Sequence, residues 1–307
     1  MGIRNLNKFI IKNSKDGVKN INFEELQNKK IAIDTSIYLY KFLGEGNLVE
    51  GVYNMINLFI WYNIKPIFIF DGKAPEEKID EITKRREEKE LAKERYLKLK
   101  KEIEETGDNN KILELNNLKK KTLKITNKEV VIVKKMLNMY GLMYLVAEGE
   151  ADELCAYLVK KEIVWAVLSE DMDLFVCGCP RILRYFDNYK RSLVIYDLNK
   201  ILNDISMNLI TFQNICILCG SDYKNFNDQL NLFSIMKKYD KCSEKEEFIK
   251  NICNIYHIDS NELNKIYYIF TKINLNYKKY NDIEILYKEA DKKRIKNYLL
   301  DYNFIFV

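Results

Sequence analysis

Four short apolar segments of this 307-residue chain each run directly into acidic residues. In chain order they are residues 31–33 before Asp34, residues 67–70 before Asp71, residues 144–147 before Glu148, Glu150, Asp152 and Glu153, and residues 164–168 before Glu170, Asp171 and Asp173. Carboxylates gathered at one place repel one another, and at neutral pH bound cations would keep most of them ionised. Hard oxygen ligands without a neighbouring histidine or thiolate favour Mg²⁺ or Mn²⁺. The pattern therefore predicts a multi-carboxylate metal site.

The acidic residues can share one site only if the segments before them are neighbouring strands. Apolar, β-branched runs of this length, with helical patterns between them, are typical of buried parallel strands. Open α/β sheets place their functional groups just beyond the carboxyl ends of such strands. We therefore expect an α/β fold with a mostly parallel sheet flanked by helices, and with the carboxylates along one edge of that sheet.

A highly charged helical stretch separates the second of these strands from the third. It covers about residues 73–128 and is interrupted at residues 107–110. A capping-box sequence at residues 126–129 then predicts a helix over residues 130–140 that stops at Gly141. On pattern alone, the charged stretch is a solvated helix or a short coiled coil.

After the fourth acidic segment the pattern predicts a strand pair followed by helices. Residues 181–185 and 193–196 are typical of a further strand or a hairpin, and the pattern is helical from about Leu198 onward. The low content of 11 Gly and 3 Pro agrees with a largely helical scaffold. A hydrophobic content of 47% is enough to bury a full core in one or two domains.

Charge and cysteine content restrict the function classes. The net charge is +5, so a surface from which about seven acids are withdrawn into a metal site would be more basic and would suit a polyanion. Seven cysteines and no secretory signal peptide predict a reducing intracellular setting, either the nucleus or a viral replication compartment. No apolar run reaches the roughly 18 residues of a membrane span, so we expect no membrane partner. The single histidine, His257, lies far from the acidic segments and argues against histidine-based catalysis.

Four of the cysteines allow two interpretations. Cys177, Cys179, Cys216 and Cys219 could form a zinc site. The last two lie in an apolar run, however, where cysteine behaves as a small hydrophobic residue. Burial in the core is therefore the favoured interpretation.

Together these motifs resemble the flap endonuclease family, the structure-specific 5′-nucleases whose relatives include excision-repair and Holliday-junction-resolving enzymes. The resemblance covers about residues 1–225, in the family's order and roughly its spacing. The matching segments are MGI at residues 1–3 with Leu6, IDTS at 33–36, FDGK at 70–73, EAD at 150–152, SEDMD at 169–173 and ILCGSDY at 217–223. The resemblance implies a PIN-like, Rossmann-like fold.

The resemblance also implies a ligand set for two Mg²⁺ ions, for which Mn²⁺ can substitute. The implied metal ligands are Asp34, Asp71, Glu150, Asp152, Asp171, Asp173 and Asp222. One alignment choice is open, because Glu148 with Glu150 could form the acidic pair instead. We prefer Glu150 with Asp152, since residues 155–158 then stay in register, and this leaves Glu148 and Glu170 at the margin, acting through water. Individually, Asp34 and Asp152 could also be helix N-caps.

Cations and one aromatic residue acquire nucleic-acid roles through the same resemblance. Lys78 and Arg85 fall where the family keeps two catalytic cations that reach the scissile phosphate, seven residues apart on one face of a helical arch. The implied nucleic-acid contacts are Tyr40, which would stack on a base, and Lys73, Lys84, Arg86 and Lys224. Without the resemblance these cations are ordinary solvated charges, and Tyr40 is equally well a core residue.

The chain departs from the family after Asp222 and Tyr223. The family's glycine-rich hairpin, which grips the duplex backbone, is replaced by residues 224–230 without a glycine. Basic residues such as Lys224, Lys237 and Lys238 are candidates for that anchoring instead. No sliding-clamp-binding peptide is evident, and we expect a monomer.

These inferences give one domain scheme and one leading function. We expect a nuclease core over residues 1–225, made of an N-region (1–72), a helical arch (about 73–128) and an I-region (about 129–225), followed by a helical DNA-binding or packing region over residues 226–307. The expected function is Mg²⁺-dependent hydrolysis of DNA with 5′ flaps, nicks or branches, as a flap endonuclease or 5′–3′ exonuclease in replication, repair or recombination. The alternatives are a Holliday-junction resolvase, a plain 5′–3′ exonuclease, and a catalytically silent junction-binding protein, which the complete ligand set disfavours.

Overall fold

The computed structural model describes residues 2–272 and 275–305, which divide into two compact units. The sheet unit comprises Met1–Thr35, Met55–Ala74 and Leu142–Lys288. The helical unit comprises Ser36–Asn54, Pro75–Gly141 and Glu289–Val307. Every β-strand and every predicted carboxylate ligand belongs to the sheet unit, whereas the charged stretch belongs to the helical unit.

The sheet unit contains a seven-stranded, mostly parallel sheet. Its strands are β1 (Val18–Asn22), β2 (Lys30–Asp34), β3 (Lys65–Phe70), β4 (Tyr144–Val146), β5 (Ala166–Leu168), β6 (Arg181–Asp187) and β7 (Ser192–Asp197). Their order is β1-β7-β6-β5-β2-β3-β4, and β4, β3, β2, β5 and β6 run parallel. The four strands that were predicted to run into acidic residues, here called the acid-tipped strands (β2, β3, β4 and β5), are therefore adjacent. This confirms the predicted sheet.

Burial explains why the central strands are readable in the sequence. Ile31, Ala32 and Ile33 of β2 are at most 1% exposed, because both faces of this strand are covered. Ile33 lies opposite Phe68 of β3 and Leu168 of β5, so β2 is paired with a neighbouring strand along both of its edges. The three-residue strand β4 lies at the edge of the sheet, beside β3 alone.

The predicted hairpin is present, and its first strand is irregular. β6 and β7 pair antiparallel, with a register shift between Arg184 and Asp187. Tyr185, inside the shift, has φ +56°, which is uncommon for an aromatic residue. An irregularity of this kind re-aims the side chains around it. β1, which no apolar pattern marks, joins the outer edge of this hairpin through β7.

Helices of the sheet unit pack on the sheet and form most of the chain after the last strand, β7. They are α1 (Leu6–Asn13), the second half of α3 (Leu48–Trp61), α7 (Ala151–Lys160), α8 (Asp173–Val176), α9 (Leu198–Asp204), α10 (Leu209–Leu218), α11 (Leu232–Asp240), α12 (Phe248–Ile255) and α13 (Ser260–Thr271). α7 packs across β2, β3 and β5, and α10 packs against α8, α11, α12 and α13. In the described part of the chain no single helix is long and apolar enough to cross a membrane, and the α9–α10 pair that passes the length and composition test together is bent by 88°.

The cysteines of the sheet unit lie mostly in its core. Cys177, Cys179, Cys216 and Cys219 are at most 5% exposed and belong to the main hydrophobic cluster. Burial raises the pKa of the thiols of Cys179 and Cys219 to about 12, so both are protonated at neutral pH. Protonated, enclosed thiols agree with the packing interpretation of this group.

The helical unit consists of α2 (Thr35–Gly44), the start of α3, α4 (Ile79–Thr106), α5 (Ile112–Lys121), α6 (Asn127–Met139) and α14 (Lys292–Leu300). The predicted interruption is the end of α4, where Gly107 has φ +68°. The predicted capping box is also present at the start of α6. The Thr126 side chain accepts from the Glu129 amide, and the Glu129 side chain accepts from the Thr126 amide. α14 packs on α6, and the Asp291 amide donates to the Met139 carbonyl.

A carboxylate in a backbone nest predicts a pH-dependent stability. Asp204 Oδ2 accepts from the Ser14 hydroxyl (2.6 Å) and from the amides of Lys15, Asp16 and Gly17. The Ser14 hydroxyl is the largest cause of a lowered pKa of the Asp204 carboxyl. Such a group stabilises the fold above its unfolded pKa, and the contribution is lost as the pH falls through the folded pKa. We expect Asp204→Asn to lower the melting temperature at pH 7, with the difference from the parent chain vanishing in strong acid. A constant difference across thermal melts from pH 2 to pH 7 would contradict this linkage.

Candidate metal-binding active site

The predicted ligands follow the carboxyl ends of adjacent parallel strands in the sheet unit. Asp34 ends β2 and Asp71 follows β3; Glu150 and Asp152 open α7 just after β4; Asp171 and Asp173 follow β5; and Asp222 lies in the loop after α10. Because the four strands are parallel neighbours, their carboxyl ends meet at one edge of the sheet. Six of the seven predicted ligands therefore belong to that edge.

Carboxylates from different segments of the chain lie near one buried thiol. Cys155 of α7 is fully enclosed, and burial is the main reason why its pKa lies well above the ordinary value. The next causes include the charges of Asp34, Asp152 and Asp71, which come from three segments of chain. Burial and Asp152 likewise raise the pKa of Cys177. Asp34, Asp71 and Asp152 are thus all close enough to Cys155 for their charges to raise its pKa.

Hydrogen bonds join the ends of β2 and β5. The Ser169 hydroxyl donates to Asp34 Oδ2 (2.8 Å) and accepts from the Asp171 amide (3.1 Å). The Asp173 amide donates in turn to Asp171 Oδ1 (3.0 Å). Asp34 is 6% exposed and Asp173 only 1% exposed. This chain of contacts places two nearly buried carboxylates beside Asp171.

A second set of contacts joins the end of β3 to the loop after β4. Asp71 Oδ1 accepts from the Ala151 amide (2.9 Å), and the Gly72 amide donates to the Gly149 carbonyl (2.8 Å). The hydroxyl of Tyr223 lies 3.2 Å from Glu150 Oε2, for which it is the donor. Glu150 occupies the N-cap position of α7 without capping it through its side chain. Its carboxylate is therefore oriented by Tyr223.

Gly72 is required for the close approach of these two loops. A Cβ on Gly72 would overlap the Ala147 carbonyl oxygen, which belongs to the backbone and cannot swing aside. We expect Gly72→Ala to part Asp71 from Glu150 and to lower both the melting temperature, by several degrees, and the Mn²⁺ affinity. Gly149→Ala is the matched control, because a Cβ there would lie 3.5 Å from Glu153 Oε2 in ordinary contact. Equal melting temperatures and Mn²⁺ affinities for the two variants would contradict the packing argument.

Gly2 is a further glycine that the site requires. Its backbone has φ +77°, and a Cβ there would overlap Asp173 Oδ1 and lie 2.7 Å from Asp171 Oδ1. The backbone of the N-terminal segment therefore approaches these two carboxylates as closely as only glycine permits. Gly2 of the MGI motif therefore has a physical role beside these carboxylates.

The two marginal acids are engaged by cations elsewhere in the sheet unit. Glu148 Oε1 pairs with Lys279 Nζ at 2.7 Å. Glu170 Oε2 lies 3.3 Å from Arg184 Nη2, and Glu170 Oε1 accepts from the Tyr185 amide at 2.6 Å. These partners favour Glu150 over Glu148 as a ligand. Asp152 lies within the first turn of α7, and its Oδ1 accepts from the Glu153 amide.

The donor set suits hard divalent ions. Within residues 2–272 and 275–305, no three His, Cys, Asp or Glu side chains are already arranged around one ion. Mg²⁺ does not require such a cage, because it keeps several waters and binds through one or two carboxylates together with substrate phosphates. All the converging groups are carboxylates, and at Gly2 the backbone lies so close to Asp171 and Asp173 that a Cβ would overlap them. The residues therefore fit Mg²⁺ or Mn²⁺ held partly through water.

The segment after Asp222 is a loop, in the place where the family has a glycine-rich hairpin and this sequence has no glycine. The Ser221 amide donates to the Lys224 carbonyl, and Asn225 Nδ2 donates to Asp228 Oδ1. Lys224, a predicted nucleic-acid contact, pairs through Nζ with Glu262 of α13 at 2.7 Å. Lys73, the other predicted contact of the sheet unit, is exposed.

The remaining predicted site residues belong to the helical unit. Lys78 is 8% exposed and closes a 3₁₀ turn, Glu76–Lys78, so the expected two-turn α-helical spacing to Arg85 applies only from Ile79 onward. Arg85 Nε contacts Glu81 Oε1 at 2.9 Å, whereas Lys84 and Arg86 are exposed. The catalytic roles of Lys78 and Arg85 and the nucleic-acid contacts of Lys84 and Arg86 therefore stay predictions.

Tyr40, in α2, is a surface residue. It is 40% exposed, which excludes the alternative of a core tyrosine. The ammonium of Lys89 lies 5.3 Å from the centre of its ring. A cation of the same unit thus already lies over one face of the exposed ring.

Several residues that orient the carboxylates escaped sequence reasoning. Tyr277 donates to Glu153, and Lys279 pairs with Glu148, from positions 124 and 131 residues further along the chain. No local pattern marks such distant partners. Tyr223 lies within a quoted motif, but only the structure assigns it to Glu150.

Comparison with known proteins places this architecture in a class. The family models for the XPG N-terminal domain and the XPG I-region match residues 1–92 and 141–222, the segments that carry the acid-tipped strands. The chain thus carries both regions that define an XPG-type protein. The chain belongs to the flap endonuclease family: flap endonuclease 1-B of Physcomitrium patens is 32% identical over 271 residues, covering 82% of this chain and 76% of that protein.

Other relatives set the scale of the match. Flap endonuclease 1 of Cryptosporidium muris is 32% identical over 251 residues, which are 73% of this chain but 52% of that protein, so the chain spans about half its length. Among solved structures, the catalytic core of Rad2 in complex with a DNA substrate has a TM-score of 0.71 at 18% identity, covering 98% of this chain and 94% of that one. Flap endonuclease-1 from Methanococcus jannaschii has a TM-score of 0.63 at 25% identity, covering 94% and 91%. These likenesses confirm the PIN-like fold.

Proposed function

We propose that this chain is a Mg²⁺-dependent, structure-specific 5′-nuclease that hydrolyses phosphodiester bonds of branched DNA. The observation that carries the proposal is the convergence of carboxylates from four adjacent parallel strands in a member of the flap endonuclease family. Phosphodiester hydrolysis requires an activated water and compensation of negative charge, and a carboxylate edge that gathers divalent ions suits both needs.

The residues divide into two groups that would hold the ions. Asp71, Glu150 and Asp152 would serve one ion, Asp171 and Asp173 the other, and Asp34 and Asp222 would act mainly through water. When bound, the pair of ions lowers the pKa of the attacking water and neutralises charge on the scissile phosphate and the leaving oxygen. The chain's own contribution is orientation: Tyr223 directs Glu150, Ala151 directs Asp71, and Ser169 directs Asp34.

The substrate would be positioned by the remaining predicted residues. Lys78 and Arg85 would contact the scissile phosphate, and Tyr40 would stack on a neighbouring base, an interaction worth on the order of 1–3 kcal/mol. Lys73, Lys84, Arg86 and Lys224 would contact the DNA backbone. The products would carry a 5′-phosphate and a 3′-hydroxyl. The family relationship and the DNA substrate bound to the Rad2 core support this assignment.

A cleavage panel tests the proposal and separates its alternatives. Labelled 5′-flap, nicked-duplex and four-way-junction DNAs are incubated with the chain in Mg²⁺ and, separately, in EDTA. The proposal requires Mg²⁺-dependent incision at the flap base. Paired incisions of the junction alone would indicate a resolvase, and stepwise release of nucleotides from the nick would indicate a plain exonuclease. Binding of all three DNAs without cleavage would identify a silent junction-binding protein.

A further inference from the structure

Arg184 of β6 is a buried cation that contacts the loop carrying two of the proposed ligands. Its side chain is 7% exposed. Its Nη2 donates to the Glu170 carbonyl oxygen at 3.1 Å and lies 3.3 Å from the Glu170 carboxylate. Its Nη1 donates to Asn7 Oδ1 at 2.6 Å and lies 2.9 Å from Met172 Sδ. The planar fork of one guanidinium thus spans three separate groups.

The surroundings of Arg184 hold that fork in place. The rings of Tyr185 and Tyr196 lie 4.9 and 5.5 Å from the guanidinium carbon. Tyr196 donates its hydroxyl proton to the same Asn7 Oδ1, and Asn7 Nδ2 donates to the Tyr185 hydroxyl. The register shift in β6 brings the Tyr185 amide to Glu170 Oε1. The Arg184 guanidinium is therefore held by hydrogen bonds and by two neighbouring aromatic rings.

The contacts of Arg184 bracket Asp171. Glu170 precedes this residue and Met172 follows it, and Arg184 touches both. Asp171 Oδ1 in turn accepts from the Asp173 amide. A rotation of the segment between Glu170 and Met172 would therefore turn the Asp171 carboxylate and break its bond to Asp173.

We propose that Arg184 is a positioning residue, which fixes the loop that presents Asp171 and Asp173 to divalent ions and draws the Glu170 carboxylate out of their site. The inference rests on the proposed metal site, although its test does not require cleavage. Partners that orient a ligand are commonly worth 10–100-fold in metal affinity, and this sets the expected effect.

Electrostatics alone predicts the opposite sign. Arg184 carries a positive charge, and its removal would leave the site more negative and the bare Glu170 carboxylate nearby. A cation would then bind more tightly. Positioning predicts weaker binding, because the ligands lose their fixed arrangement. The direction of the change therefore decides between the two roles.

The test is Mn²⁺ binding to the full chain, measured by electron paramagnetic resonance of the free ion in the absence of DNA. Arg184→Met, which keeps the stem but loses the fork, is expected to bind Mn²⁺ at least about tenfold more weakly than the parent chain. Arg181→Met is the matched control: Arg181 lies on the same strand, but its Nε donates to the Trp165 carbonyl. Its Mn²⁺ affinity should change less than twofold, about the scatter of such a titration.

A conservative variant keeps the test decisive if Arg184→Met fails to fold. Arg184→Lys retains the charge, but a single ammonium cannot span Asn7, Glu170 and Met172. It should weaken Mn²⁺ binding by several-fold if positioning matters, and leave it unchanged if charge alone matters. Unchanged or tighter binding in the folded variants would overturn the inference. Failure of the parent chain itself to bind Mn²⁺ would instead overturn the proposed metal site.

Discussion

Replacing Asp173 by asparagine is expected to slow single-turnover cleavage of a 5′-flap DNA by about a thousandfold, which corresponds to ~4 kcal/mol of lost transition-state stabilisation. Asp173 is 1% exposed and lies beside Asp171, so its charge acts where little water screens it. Asparagine has the same shape but cannot supply the second anionic oxygen that a divalent ion prefers.

The same substitution should stabilise the metal-free protein. Like charges from Asp171 and Asp173 oppose folding when no cation is bound, so neutralising one of them should raise the melting temperature in EDTA. Mg²⁺ should raise the melting temperature of the parent chain, because it binds the folded state only, and should raise that of the variant less. Calorimetric melts with and without Mg²⁺ measure both effects.

Asp16→Asn is the control for this prediction. Asp16 is an exposed residue of the sheet unit, in the loop after α1, and its amide rather than its carboxylate is engaged. The same chemical change there should leave the cleavage rate and the Mg²⁺-dependent stabilisation intact. If Asp173→Asn cleaved as fast as Asp16→Asn, Asp173 would have no place among the metal ligands.

Lys78→Ala is expected to reduce the single-turnover cleavage rate about a hundredfold, the usual cost of removing one preorganised donor to a developing charge. Lys78 is 8% exposed at the entrance to α4, and a cation so enclosed acts on a phosphate more strongly than a solvated one. The affinity for the same DNA in Ca²⁺, measured by fluorescence anisotropy, should fall no more than about threefold, since one phosphate contact contributes little to binding.

Lys93→Ala separates this role from general charge. Lys93 is an exposed cation of the same helix, and its loss should leave the cleavage rate within about twofold of the parent rate, as expected for one solvated charge. If Lys78→Ala lost affinity and rate by equal factors, Lys78 would be a phosphate contact without a catalytic part. A thermal melt of Lys78→Ala shows whether the loss of a buried side chain has unfolded the arch.

The sheet was predictable from the sequence where burial is complete. β2 and β3 are enclosed on both faces, so their apolar runs stand out, and each stops at a carboxylate. β1 could not be predicted, because it lies at the edge and only Ile21 of its five residues is buried. That the four strands ending in acids are neighbours was expected from the need to bring the acids together, but their order in the sheet was not predicted.

The site was predictable in its ligand types but not in its supports. Asp71 and Asp171 lie within a few residues of the ends of β3 and β5, so short sequence motifs were enough to find them. Arg184 and Lys279 act across 14 and 131 residues, and a solvated lysine or arginine has the same local sequence pattern as one that is engaged. The role of Gly2 beside Asp173 was not predictable either, since a single glycine carries no sequence pattern that indicates what packs against it.

The central position of β2 has a consequence for the timing of assembly. β2 pairs with β3 after an interval of about 35 residues, but its other partner, β5, is synthesised far later, and the bond from Ser169 to Asp34 spans 135 residues. Contacts so distant in sequence form late in folding, because the chain loses loop-closure entropy before the long-range contacts contribute any stability. A nascent chain that has not yet released β5 from the ribosome lacks Asp171 and Asp173 and the bond from Ser169 to Asp34, although it already contains Asp71 and the Ala151 amide that donates to it. Catalytic competence is thus expected to appear abruptly, once the middle of the sheet closes.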